Sequence, residues 1–203
     1  MIEHLPLRLY LASASPRRHE LLQQIDIAHE VLHVPAPAGE DEPILPTENA
    51  VQYVQRTALD KLQRAALWRQ TQSQLQQNWP ILCADTTVEL HGRIIGKPTH
   101  LDEAAEILAD LSGQEHQVHS ACCLMYQNKV YHALSSSSVW FKKLSPAEIA
   151  MYCQTGEPLG KAGAYGIQGL AAKFIKRLEG SYSGVMGLDV YQTHQLLVQA
   201  GLE

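Results

Sequence analysis

Four stretches of this chain hold side chains that could bind or transform an anion. The first is Ser13-Ala14-Ser15-Pro16-Arg17-Arg18, which follows an alternating apolar run at residues 7–12. Ser15 reads as a helix N-cap with Pro16 at the first helical position. A strand that feeds a helix start aims unpaired N–H groups and the positive end of the helix dipole at one point. Two hydroxyls and two arginines there suit a polyphosphate, although a capped helix with solvated arginines explains the same residues. The second stretch is Cys83-Ala84-Asp85-Thr86-Thr87, read as an acid at the end of a buried apolar strand. A carboxylate at such a place can hold a divalent ion or take a proton from water, or it can simply begin a turn.

Lys61 and Lys97 are the third set. Lys61 lies beside the apolar stripe of its helix and Lys97 precedes Pro98, and each alone is an ordinary snorkelling lysine. The fourth is Lys161-Ala162-Gly163-Ala164-Tyr165-Gly166-Ile167-Gln168-Gly169, where three glycines in seven residues permit close backbone approach beside a cation. Its spacing is neither that of a Walker A loop nor that of a dinucleotide fingerprint. The ten histidines form no zinc template with cysteine partners, so they read as structural. No nucleophile elbow of the Gly-x-Ser-x-Gly type is present.

The elements that must position these residues alternate between period two and period 3.6. Residues 7–12 and 29–34 read as strands, with a helix from Pro16 to about Ile25 between them. Thr47 is expected to open a long amphipathic helix carrying Val54, Ala58, Leu62 and Ala65. A buried strand over residues 80–90 leads through a His91-Gly92 turn to residues 93–95. Thr99 with Asp102 suggests a capping box for a helix ending at Gly113. Two strands, 116–126 and 129–141, are joined by Gln127-Asn128, and Ser145 caps a helix that stops at Gly156. Short strands are expected at 164–167 and 173–178, and a last helix at 188–199. Interleaved strands and helices define an α/β class with a mixed sheet.

Composition narrows the partners. The chain has 203 residues, 45% of them apolar and 18% charged, which excludes a disordered polymer. A net charge of −5 argues against the nucleic-acid backbone as main partner, while leaving room for a small phosphorylated ligand. No apolar run reaches about 18 residues, so no membrane helix is expected, and the first residues lack the pattern of a secretory signal. Cys83, Cys122, Cys123 and Cys153 contain no C-x-x-C pair and read as reduced, buried thiols of a cytoplasmic protein. If Cys122 and Cys123 lie on a strand, they point to opposite faces.

In this order, Leu11-Ala-Ser-Ala-Ser-Pro-Arg-Arg18, Ala84-Asp-Thr86, Gly96-Lys-Pro98 and Ala162-Gly-Ala-Tyr-Gly-Ile-Gln-Gly169 resemble the Maf family of nucleoside triphosphate pyrophosphatases. The resemblance runs from Leu9 to about Leu197 and implies one Maf-like domain over residues 1–203. It also implies an elongated α/β fold similar to inosine triphosphate pyrophosphatases, with the nucleotide between two lobes. The implied reaction cuts a nucleoside triphosphate into monophosphate and pyrophosphate with a divalent metal, Mg or Mn. Carried over by position, Asp85 matches the family's general base, and Ser13, Arg18, Lys61 and Lys97 match its phosphate-handling set, with Lys161 beside them. Glu42 of the Asp41-Glu42 pair falls in the metal-associated position, together with Asp85. Arg17, Thr86 and Gln168 match the positions that mark the branch preferring dTTP and UTP; the 7-methyl-GTP branch often has tryptophan where Arg17 stands.

Two positions depart from the family pattern. Gly160 replaces the usual Asp before Lys161, and Asp189 replaces the usual Pro after Leu188. The first removes a carboxylate that would orient Lys161 or a metal-bound water. The second places a good capping residue at the start of the last helix. A rival of another class is a nucleotide-binding regulator of septation with little turnover; keeping Asp85, Lys61 and Lys97 together favours the enzyme. Monomer and homodimer both stay open.

Overall fold

The computed structural model describes residues 7–37 and 42–203. In chain order the elements are β1 (Arg8–Leu11), α1 (Pro16–Gln24), β2 (Ala28–Val31), α2 (Ala50–Gln70), β3 (Ile81–Leu90), β4 (Arg93–Ile95) and α3 (Leu101–Leu111). They continue with β5 (Glu115–Tyr126), β6 (Lys129–Phe141), α4 (Pro146–Gln154), β7 (Ile175–Glu179), α5 (Tyr182–Met186) and α6 (Val190–Gln199). Short 3-10 turns occupy Ala162–Ala164 and Leu170–Phe174. Seven strands form one mixed sheet in the order β2-β1-β3-β5-β6-β7, with β4 paired to β3. β1 is parallel to β2 and β3, and the other pairs are antiparallel. The α/β class with a mixed sheet stands.

Three buried clusters divide the sheet. Leu9, Leu11, Leu82, Cys122 and Leu124 pack with Leu21 and Leu22 of α1 and with Leu196 and Leu197 of α6 on one face. Tyr10, Ile81, Cys83, Ala121 and Cys123 pack against Val54, Ala58, Leu62 and Ala65 of α2 on the other. Cys122 and Cys123 therefore do point to opposite faces, and all four cysteines are free and buried. The third cluster lies farther along β3 and β5, where Val88, Leu90 and Val118 meet Leu108 of α3, Tyr152 of α4 and Phe141 and Phe174. β3 is thus shared, its first half belonging to the α1/α2 side and its last three residues to the α3/α4 side.

Several expected boundaries move, each for a local reason. Thr47 sits at a φ of +66°, and α2 opens instead at Asn49, whose side chain accepts from the Gln52 N–H while the Gln52 side chain accepts from the Asn49 N–H. α3 is capped by His100, which accepts from the Glu103 N–H, rather than by Thr99 with Asp102. Ser15 occupies the N-cap of α1 without a side-chain cap bond; its own N–H donates to the Ser13 hydroxyl. The strand expected at 164–167 is absent because Gly163 and Ala164 take positive φ of 69° and 59°, which breaks an extended run. α5 was not anticipated, since five residues carry too little periodicity to show. The Gln127-Asn128 turn and the Ser145 capping box of α4 hold as expected, and Asp189 caps α6 by accepting from the Gln192 N–H.

Candidate active site

β1 accompanies β3 only as far as Leu82, and β4 begins its pairing at Val88. Between them, among the described residues, one side of β3 lacks a strand partner, and Asp85 and Thr86 sit on that open stretch. Asp85 is therefore mid-strand, not at a strand end as the sequence suggested. The end belongs to its neighbour β1, and the resulting gap gives the acid its access. A cleft of about 730 Å³ opens there, within the size range of small-molecule sites. Ser13, Arg17, Arg18, Glu42, Lys61, Asp85, Thr86, Lys97, Lys161 and Gln168 all line it. Every residue singled out from the sequence thus reaches one place, while Asp41 lies outside the described residues.

The acidic wall is built from β3 and α2. Asp85 is buried, with only 4% of its surface exposed. Its Oδ1 accepts from Lys61 Nζ at 2.7 Å, and its Oδ2 accepts from the Thr57 hydroxyl at 2.6 Å. Thr57 and Lys61 are four apart on α2, so both reach the same point. Lys61 Nζ also lies 2.5 Å from a Glu42 carboxylate oxygen. Burial alone would raise the Asp85 pKa, but the charges of Lys61 and Arg18, with the Lys61 and Thr57 hydrogen bonds, hold it below the usual carboxylate range. Thr57 escaped the sequence reading, although its four-residue step from Lys61 was a visible signal.

The basic wall comes from the start of α1 and the chain after α5. Arg18 Nε donates to the Gly187 carbonyl at 2.7 Å and its Nη1 donates to the Ser13 hydroxyl at 3.0 Å. Arg17 Nε donates to the Met186 carbonyl at 3.1 Å. The Thr86 hydroxyl donates to the same Gly187 carbonyl at 3.3 Å. Burial pushes both guanidinium pKa values down, opposed at Arg18 by Asp85 and at Arg17 by Glu20 and Glu157. Both remain cations, because an arginine pKa starts far above neutrality.

Lys161 and Gln168 sit on the loop between α4 and β7, which closes the cleft opposite. Gly163 fits there because its φ is +69° and a Cβ would come within 2.9 Å of Val88. The Gly163 N–H donates to the Gly96 carbonyl at 3.1 Å, tying this loop to the residue before Lys97. Lys161 donates to the Glu157 main-chain carbonyl, which anchors its ammonium. Gly160 itself has a φ of +71° with open space around its Cβ position. Glu157 was a second residue the sequence reading missed.

Lining charges decide what the cleft can hold. Arg17, Arg18, Lys61, Arg64, Lys97 and Lys161 face only Glu42 and Asp85, a local balance of +4 on a chain of −5. Glu42 and Asp85 share one ammonium and offer hard oxygen donors. Among the described residues no group of three or more His, Cys, Asp or Glu could cage a metal. Two carboxylates without a cage have the chemistry to hold a hard divalent ion such as magnesium, which prefers oxygen donors. His116 bonds Tyr165, and His119 bonds Ser136 and Glu89, as structural histidines do.

A single mixed sheet with a cationic cleft where a neighbouring strand ends defines an α/β protein built around a polyanionic small molecule. Residues 8–200 match the family described as Maf-like protein, and the chain belongs to that family. It is 53% identical over 201 residues to a dTTP/UTP pyrophosphatase of Bordetella avium, covering 99% of this chain and 98% of the relative. It is 54% identical to a dTTP/UTP pyrophosphatase of Bordetella pertussis, over 97% of this chain and 94% of that protein. The protein of the same name from Nitrosomonas europaea is 46% identical, over 96% of this chain and 95% of its own length.

Proposed function

We propose that this chain is a nucleoside triphosphate pyrophosphatase that hydrolyses dTTP and UTP to the monophosphate and pyrophosphate, clearing unwanted pyrimidine nucleotides from the cytoplasmic pool as one domain over residues 1–203. The observation that carries this reading is the cleft's +4 lining on an acidic protein, with a buried acid at its centre. The names of its relatives supply the base preference.

Phosphoanhydride hydrolysis needs neutralised phosphate oxygens and an oriented water, with little covalent work by the protein. Arg18, Lys61, Lys97 and Lys161 bind the triphosphate oxygens, and Ser13 fixes the Arg18 fork. A water oxygen attacks the α-phosphorus, the bond to the bridging oxygen breaks, and pyrophosphate leaves with that electron pair. Asp85 takes the water proton, for which its depressed pKa keeps it ionised. Glu42 and Asp85 are the residues that would hold a divalent ion such as Mg or Mn, which supplies further charge neutralisation. A septation regulator without turnover would have no use for a base held at two oxygens by Thr57 and Lys61.

Arg17, Thr86 and Gln168 border the base end. Uracil and thymine present an N3–H beside a carbonyl, which a glutamine amide matches with its own acceptor and donor. Cytosine inverts that pattern, at a cost of about 1–3 kcal/mol. A small apolar methyl separates dTTP from UTP only weakly.

The test is a panel of triphosphates in ¹⁸O-labelled water. The expected result is label on the monophosphate, dTTP and UTP within about tenfold of each other, and CTP and ATP at least roughly tenfold slower. Label in orthophosphate would make the chain a γ-phosphatase, and a preference for CTP or 7-methyl-GTP would remove the base assignment while keeping the chemistry.

A further inference from the structure

The loop that carries Lys161 and Gln168 contains a single acid between Gly156 and Leu178, and that acid closes the loop on itself. Glu157 Oε1 accepts from the buried Tyr152 hydroxyl of α4 at 2.9 Å. Its Oε2 accepts from the Leu170 N–H at 3.0 Å, thirteen residues further on. The carboxylate lies flat against Gly169, where a Cβ would stand 2.3 Å from Oε1. The stretch between Glu157 and Leu170 is therefore fastened at both ends by one side chain, with Gln168 two residues from the fastening. The negative charge is also close enough to Arg17 and Lys161 to favour their charged forms.

We propose that Glu157 is the positioning residue of the base-recognition loop, its carboxylate clasping Gly169 and Leu170 so that Gln168 is held at the angle that tells uracil and thymine from cytosine. This rests on the dTTP/UTP reading above and deepens it. Lys161 depends on the side chain only through its charge, because its hydrogen-bond partner is the Glu157 main-chain carbonyl, which every substitution at 157 retains. Loss of the clasp should therefore cost base discrimination more than phosphate binding. A side-chain amide in the frame of a single base edge discriminates only while its plane is fixed.

Two substitutions attack the clasp from opposite sides. Glu157→Ala removes the carboxylate. Gly169→Ala leaves it in place but wedges it away, and a φ of −100° at Gly169 makes the new methyl acceptable to the backbone itself. Both should lower the dTTP-to-CTP ratio of kcat/KM by about tenfold, chiefly by slowing dTTP. Glu157→Gln can still accept from the Leu170 N–H while donating to the Tyr152 oxygen, so it should restore the ratio to within about threefold. Thermal unfolding and circular dichroism of each variant establish that the fold is intact. Calorimetric titration with α,β-imido-dUTP and α,β-imido-dCTP should show the same narrowing without turnover.

A fall in all substrates alike, or no rescue by glutamine, would reduce Glu157 to a stabilising residue and overturn the proposal. So would a wild-type ratio in Gly169→Ala. A wild-type enzyme without preference for dTTP would instead strike the functional reading, which the parental protein reports before any variant is made.

Discussion

The two walls of the cleft handle charge in opposite ways. On the α2 side, Lys61 lies between Asp85 and Glu42, so each group already has a charged partner. On the α1 side, Arg17 and Arg18 are fixed by the neutral carbonyls of Met186 and Gly187, and among the described residues neither has a salt bridge. A carbonyl orients a guanidinium without cancelling its charge, so this wall waits for an anion to complete it. The acidic wall is complete beforehand, and a ligand must exchange partners there. In the proposed reaction, one wall attracts and the other reacts.

Removing the base breaks the comparison most severely. Asp85→Asn should keep the fold and lower turnover by roughly 10²–10⁴-fold, measured at saturating dTTP and Mg²⁺. Unchanged rates would move the reactive role off the α2 wall. Next in size is Arg18→Lys, which exchanges a fixed fork for a point charge. Loss of a charge-assisted contact of about 1.5–3 kcal/mol should cost roughly 10–150-fold in kcat/KM, carried mainly by KM, with the pH profile in place.

The smallest expected effect sharpens the division by pH. Lys61→Met removes the leading opposing charge from Asp85, so burial lifts its pKa. A base must be deprotonated, so the acid limb of the kcat profile should move to higher pH by about one unit. The same sign governs stability. A depressed folded pKa contributes stability that is present above the unfolded value and lost as pH falls through the folded one, so the variant should lose less stability on acidification than the parent. A limb that stayed put would mean that Arg18 and Thr57 alone set the Asp85 charge.

Legibility in the sequence followed how local each signal was. The Ser145 capping box and the Gln127-Asn128 turn depend on residues within four positions, and both are found as read. The helix starts at Asn49 and His100 went astray because several capping residues stand close together, and only the surrounding chain selects among them. Asp85 was readable as a candidate acid but not as a place, since its access to the cleft comes from β1 ending at Leu11, a fact about a different segment. Glu157 was missed for the same reason, and Thr57 partly so: its step of four from Lys61 was local, but the acid that both reach was not. Each matters through a partner 28 or 13 residues away, and periodicity says nothing about such pairs.

The arginine anchors also order events in time. Arg17 and Arg18 are each held by a carbonyl 169 residues later in the chain. At about 5–20 residues per second, roughly 8–34 s separate the synthesis of an arginine from that of its anchor. Lys61 and Asp85 are added partway through that interval, and from then until Gly187 is made the growing polypeptide carries both but no finished basic wall. On the proposed function, a nascent or prematurely truncated product lacks the anchored arginines that its nucleotide needs, and competence arrives only when nearly the whole chain has been made.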